Sequence, residues 1–187
     1  EAAINTLRVY AFVGGEPAGH YYTAEPVVSP ERFLMDLKMF SLTEQTVDFY
    51  VVANEGAMVT PGSSEILNDE TTEGELKRFS FTSLDQERGL PMFVHRRVEL
   101  DVATDAAGSG ADMSGHEGHT LLNRKVDFEL QRSVAKLGVF AAKAAGETGD
   151  LSVTGLTLKG SGLRALNYLA PQDRETLEKI PARGSDM

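Results

Sequence analysis

Apolar and polar residues alternate with period two along several stretches, the mark of strands with one side in a core and the other facing out. From Ile4 to Val13, Leu7, Val9, Ala11 and Val13 share one parity while Arg8, Tyr10 and Phe12 share the other, predicting a strand with one buried face. Gly14-Gly15-Glu16-Pro17 supplies turn residues, so the chain is expected to reverse there. Residues 25–30, with two prolines and two valines, read as an extended connection. Phe33, Met35, Leu37 and Met39 alternate with Leu34, Asp36 and Lys38 as a second strand, and Thr46 to Asn54 forms a third, rich in β-branched and aromatic residues.

The pattern changes after Pro61. Ser63-Ser64-Glu65 and Thr72-Glu73-Gly74-Glu75 have the form of helix starts with acids in the first turn, so 61–84 is expected to be a partly helical excursion. Val98, Leu100 and Val102 then alternate with Arg97, Glu99 and Asp101, returning the chain to strand. Ala106 to His119, built of Gly, Ser, Ala and Asp, predicts a loop.

Leu121 to Lys143 carries the strongest strand signal, with Val126, Phe128 and Leu130 on even positions and Leu137, Val139 and Ala141 on odd ones. A parity change near Arg132-Ser133 predicts a bulge or a crossing between sheets. Leu151 to Leu158 is a further predicted strand after a turn at Gly146 to Asp150. Residues 171–187 are charged, carry two prolines and offer only Leu177 and Ile180 for burial, as in a linker or tail. Six or seven strands without long helices between them predict an all-β chain, a two-sheet antiparallel Greek-key β-sandwich with a short helical excursion, over residues 1–170.

Composition narrows the function. The 187 residues suffice for one domain with its own core, and no apolar run nears the roughly 18 residues that cross a bilayer. There is no cysteine, so a disulfide frame, a thiol nucleophile and a thiolate metal site are ruled out. A net charge of −10, spread along the chain, opposes binding to nucleic acid. The sequence opens at Glu1 without a Met, a basic n-region or an apolar h-region, so any export signal is expected to have been removed or to lie outside it.

Candidate chemistry is sparse. His116-Glu117-Gly118-His119, near Asp112, comes closest to a metal motif, but its histidines are three apart rather than four and glycines surround them, so a loop without metal is expected. Arg96-Arg97 and Arg124-Lys125 are expected on solvated strand faces, and Tyr21-Tyr22 with one ring inward and one outward rather than as a sugar platform. No Ser-His-Asp order and no phosphate loop stands out, so no enzyme activity and no cofactor are expected.

Four segments, in order, resemble a known family: Ile4-Asn5-Thr6-Leu7-Arg8-Val9-Tyr10-Ala11-Phe12, Asp48 through Met58 with its Ala53-Asn54 turn, Leu90-Pro91-Met92, and Leu130-Gln131-Arg132-Ser133-Val134-Ala135-Lys136-Leu137 with an Arg-x-x-Ala-Lys core. Together, over about Ile4 to Pro171, they are similar to the amino-terminal domain of the Bacteroidales fimbrillins, the subunits of type V pili, and of their Mfa-like relatives. The resemblance implies a transthyretin-like sandwich, which in the family is followed by a second sandwich, so residues 171–187 are expected either to be a linker toward that domain, cut near Arg183, or to be the tail of a single-domain member. It further implies export as a lipid-anchored precursor, cleavage by an arginine-specific protease, and assembly at the outer-membrane surface by strand exchange with other pilus subunits. Leu7, Val9, Ala11 and Val13 would then line the assembly groove. The alternative role is a surface adhesin that holds a glycan or protein receptor of a host or another bacterium at a fibre tip or anchor.

Overall fold

The computed structural model describes residues 3–28, 32–41, 43–60, 67–105, 114–115, 118–122, 124–134, 140, 142–152, 154–155 and 166–180. It is mostly β, with antiparallel sheets and a few short helices. Strands β1 (Leu7–Val13) and β2 (Glu16–Thr23) form a hairpin closed by Gly14 and Gly15, whose positive φ values of 59° and 88° make the reversal. The turn is shorter than the sequence predicts, since Glu16 and Pro17 already pair with β1. The pairing of β1 with β2 shifts between Ala11 and Phe12, a bulge beside Pro17, which lacks an N–H for the ladder.

Strand β3 (Glu44–Ala53) pairs with the other side of β1. A 3-10 turn, Glu55–Ala57, leads to β4 (Met58–Val59). Helix α1 (Glu73–Arg78) follows the predicted start at Thr72, whose hydroxyl accepts from Glu75 N while Glu75 Oε2 accepts from Thr72 N at 2.8 Å. Short strands β5 (Ser80–Phe81) and β6 (Ser83–Leu84) and a 3-10 turn, Gln86–Arg88, come next. Then β7 (Met92–Asp101) runs beside β3, and the helical turn α2 (Val102–Asp105) ends it. The last elements are β8 (Gln131–Arg132), β9 (Asn167–Tyr168) and helix α3 (Arg174–Lys179), N-capped by Asp173 and followed by buried Ile180.

The main sheet has the order β2-β1-β3-β7-β8, and two small pairs, β4-β6 and β5-β9, lie apart from it. Both faces of its centre are buried. On one face Leu7, Val9 and Ala11 meet Val47, Phe49, Val51, Val98 and Leu100; on the other Tyr10, Phe12, Tyr50, Val52 and Phe93 meet Met58, Leu67, Leu76, Phe81 and Leu169. The expectation of one buried face for the first strand is therefore corrected: Arg8, Tyr10 and Phe12 are as enclosed as their odd-numbered neighbours. Large apolar side chains buried this way contribute about 1.5–3 kcal/mol each, so the central three strands carry most of the stabilisation.

Two further expectations are corrected. Residues 32–40 alternate as predicted, with Met35, Leu37 and Met39 turned in, yet form no ladder. They are held instead by Lys38 N donating to Ala18 O and by buried Gln45, whose amide accepts from Phe40 N and donates to Lys38 O. Residues 124–130 likewise alternate in burial, but the ladder there is confined to Gln131 and Arg132. Leu137, Val139 and Ala141 lie outside the described residues, as do Ser63 to Glu65 and part of 151–158; Leu151 itself is exposed.

Candidate functional site

The four residues expected to line a groove, Leu7, Val9, Ala11 and Val13, share one face of β1 as their parity predicts. Leu7, Val9 and Ala11 are buried and Val13 packs at the margin of the same cluster. Because β1 pairs along its length with both β2 and β3, its own backbone groups are taken. Among the described residues β2 has β1 as its only ladder partner, and β7 beyond Phe93 has only β3.

Three polar constructions hold this frame together. The first is at Asn54, which is 1% exposed and has the left-handed φ of 57°. Its Oδ1 accepts from Asn5 N at 2.8 Å, and its Nδ2 donates to Ala3 O and Leu90 O, both at 2.9 Å. One side chain thus ties the amino-terminal segment, the end of β3 and the entry to β7. Gly89 is required beside it: a Cβ there would lie 2.7 Å from Asn54 Nδ2, and its φ is +99°.

The second is Arg8, whose Nε and Nη2 donate to the two carboxylate oxygens of Glu55 at 2.7 Å each. Its Nη1 lies 2.9 Å from His20 Nε2, and its guanidinium stacks over the Tyr22 ring at 4.1 Å. Burial, and then the charge of Arg8, lower the pKa of His20.

The third crosses the sheet. Asp48 accepts a bidentate pair from Arg97 at 3.0 Å per bond and lies 2.7 Å from His95 Nε2. His95 stacks on Tyr50 at 4.4 Å, the Tyr50 hydroxyl donates to Glu73 Oε1 at 2.6 Å, and Lys77 pairs with the same carboxylate. Burial alone would raise the Asp48 and Glu73 carboxyls; hydrogen bonds from Arg97 and His95, and from Lys77 and Tyr50, outweigh it and hold both below their usual range. Burial and the Glu73 carboxylate raise the Tyr50 phenol.

This last cluster contains an Asp–His pair, the orienting half of many hydrolytic sites. Among the described residues, the ring of His95 meets only Asp48 and Tyr50, and the Tyr50 hydroxyl is committed to Glu73. Through Tyr50 and Glu73 it ties α1 to the sheet. Sequence reasoning passed over it, although Asp48 between Val47 and Phe49, and Arg8 between Leu7 and Val9, are charges inside apolar runs and signal buried partners.

The other sequence candidates are dispersed. His119 pairs with Asp36 at 2.8 Å, both side chains 55% exposed, while His116 lies outside the described residues. Among the described residues no group of three or more His, Cys, Asp or Glu could hold a metal. Tyr21 stacks on Phe33 on one face of the sheet and Tyr22 meets Arg8 on the other, so the two rings form no common platform. Arg96 and Arg97 are exposed, as expected, and each also has a partner: Arg97 donates to Asp48, and Arg96 to the carbonyl of Asp127.

An open hollow of about 480 Å³ lies between the small strand pairs, near Ser83, Gln86, Ser133 and Asn167. Its polar groups are partly committed, since Ser133 Oγ donates to Leu169 O and Asn167 Nδ2 to Phe81 O. No helix among the described residues is long and apolar enough to cross a membrane. No family model, curated protein or solved structure matches this chain.

Proposed function

We propose that this chain is a structural subunit or accessory protein of a cell-surface pilus, displayed outside the cell, assembling by protease-triggered strand exchange and supporting adhesion. In this reading the domain is a transthyretin-like sandwich whose second layer includes residues 32–40, with Met35 and Leu37 against the apolar face of the main sheet. The observation that carries the reading is that, among the described residues, β2 has a ladder partner on one side only and β7 has none on its outer side beyond Phe93, beside a deep apolar core; on β2 only Ala18 O is met from outside, by Lys38 N. An open edge next to apolar pockets is what an added strand needs, because its backbone completes the ladder and its alternate side chains enter the core. The ordered segments that resemble the fimbrillins point to the same use.

The test is to treat the full-length precursor with an arginine-specific protease and run it on a denaturing gel without heating. Ladders of regular spacing are expected. A cleaved protein that remains a single monomeric band under every assembly condition contradicts the proposal.

A further inference from the structure

The outer edge of β7 and the segment 124–130 match each other closely enough to be read as an unfinished strand pair. β8 opposes Met92 with Arg132 and Phe93 with Gln131. Carrying that antiparallel register onward sets Val94 against Leu130, Arg96 against Phe128 and Val98 against Val126 on one face, and His95 against Glu129, Arg97 against Asp127 and Glu99 against Lys125 on the other. The first set faces the core in which Val94, Val126, Phe128 and Leu130 already pack. The second set holds two rows of opposite charge, Arg97 with Asp127 and Glu99 with Lys125, and sets the His95 ring against the Glu129 carboxylate.

Competing registers are poorer. A slip of one residue would turn Val126, Phe128 and Leu130 away from the core. A slip of two in one direction sets Arg97 against Lys125, and in the other sets Glu99 against Asp127, a like-charge pair each time. The favoured register also extends rows already built across the sheet: β3 opposes Arg97 with Asp48, His95 with Tyr50 and Val98 with Val47. Asp127 would place a second carboxylate on the guanidinium of Arg97, and Phe128 already meets Phe49 edge-on at 5.8 Å between centroids. In the structure the segment is held near the edge by a side chain instead, as Arg96 donates to the carbonyl of Asp127.

We infer that the outer edge of β7, from Val94 to Glu99, is a strand-binding site whose built-in occupant is the chain's own segment 125–130, in the register set by Met92 and Arg132. When the segment zips, β7 becomes an interior strand. When it peels away, the edge is open to an outside strand of the same pattern, apolar at alternate positions with the charges between. The segment is thus an internal competitor for any strand that docks there. This inference rests on register and charge in the fold, not on the pilus reading.

The chain contains no cysteine, so paired cysteines report the register directly. The protein carries Glu99→Cys with Lys125→Cys, or His95→Cys with Glu129→Cys, and is compared with the diagonal pairs Arg97→Cys with Lys125→Cys and Glu99→Cys with Asp127→Cys. Directly opposed Cβ atoms lie within disulfide reach and diagonal ones do not, so under mild oxidation the first two variants are expected to form monomeric cross-links at least about ten-fold faster than the diagonals. Equal rates for the diagonals, links only between chains, or no link within the chain would overturn the inference. Glu99 and Lys125 are both exposed, which keeps one in-register variant readable if His95→Cys disturbs the Asp48 cluster. Because the link is scored within a monomer, its absence leaves the assembly test untouched, and absence of assembly leaves this one untouched.

Discussion

At the scale of single residues, the frame depends on a few buried polar side chains with more than one partner. Asn54 combines a left-handed backbone with three hydrogen bonds, so its replacements separate the two contributions. Asn54→Gly removes the bonds but suits the backbone; Asn54→Ala removes the bonds and adds strain, and is expected to be less stable than the glycine variant by about 1 kcal/mol. Urea midpoints measure this, and equal midpoints would show that the φ of 57° carries no cost. Arg8 and Glu55 behave differently, being a nearly enclosed ion pair with side chains 8% and 11% exposed. Arg8→Met alone leaves a carboxylate without its partner and is expected to cost about 3–5 kcal/mol, whereas Arg8→Met combined with Glu55→Met should recover most of that loss. A double variant no more stable than the single one would contradict the assignment.

At the scale of elements, α1 is a short helix that would not persist alone, and its place is fixed by one apolar and one polar anchor. Leu76 is fully buried in the second core, and Glu73 accepts from Tyr50. Thermal unfolding should show Leu76→Ala losing about 2–5 kcal/mol and Tyr50→Phe about 1 kcal/mol. A Tyr50→Phe loss as large as that of Leu76→Ala would mean that the hydroxyl, not the leucine, docks the helix. The helix start was legible because a capping box is a local signal. The third strand was legible too, since Val47, Phe49 and Val51 alternate with mixed neighbours. β2 was not: Gly19 breaks the pattern, and it is small because Met35 and Asp36 O cross directly above it, a long-range cause that no local window contains. Residues 32–40 and 124–130 show the converse, for alternation reports which side chains face a core but not whether a neighbouring backbone completes the ladder. The Asp48 cluster escaped notice because its members meet only through the register of β3 and β7, with α1 laid across it.

For the whole molecule, the ion pairs impose a sign on the response to acid. Asp48 and Glu73 have folded pKa values below their unfolded ones, so their stabilisation is complete above the ordinary carboxylate range of about 4 and is lost as pH falls through the lowered folded values. His20 is also lowered, so the unfolded chain binds its proton first and stability begins to fall near pH 6.5. Urea midpoints should therefore decline slightly between about pH 7 and 5 and steeply below about 4, and Asp48→Asn should flatten the acid limb. An acid limb unchanged in Asp48→Asn would remove that carboxylate from the account.

The same whole-molecule view sets two apolar cores on either side of one sheet, and among the described residues the outer edges of β2 and of β7 beyond Phe93 have no ladder partner. The proposed role turns on whether those edges join subunits. Sedimentation velocity of the full-length precursor, before and after cleavage by an arginine-specific protease, measures this most directly. The account predicts a monomer before cleavage and a series of heavier species after it; a cleaved protein that sediments only as a monomer at every concentration would contradict it.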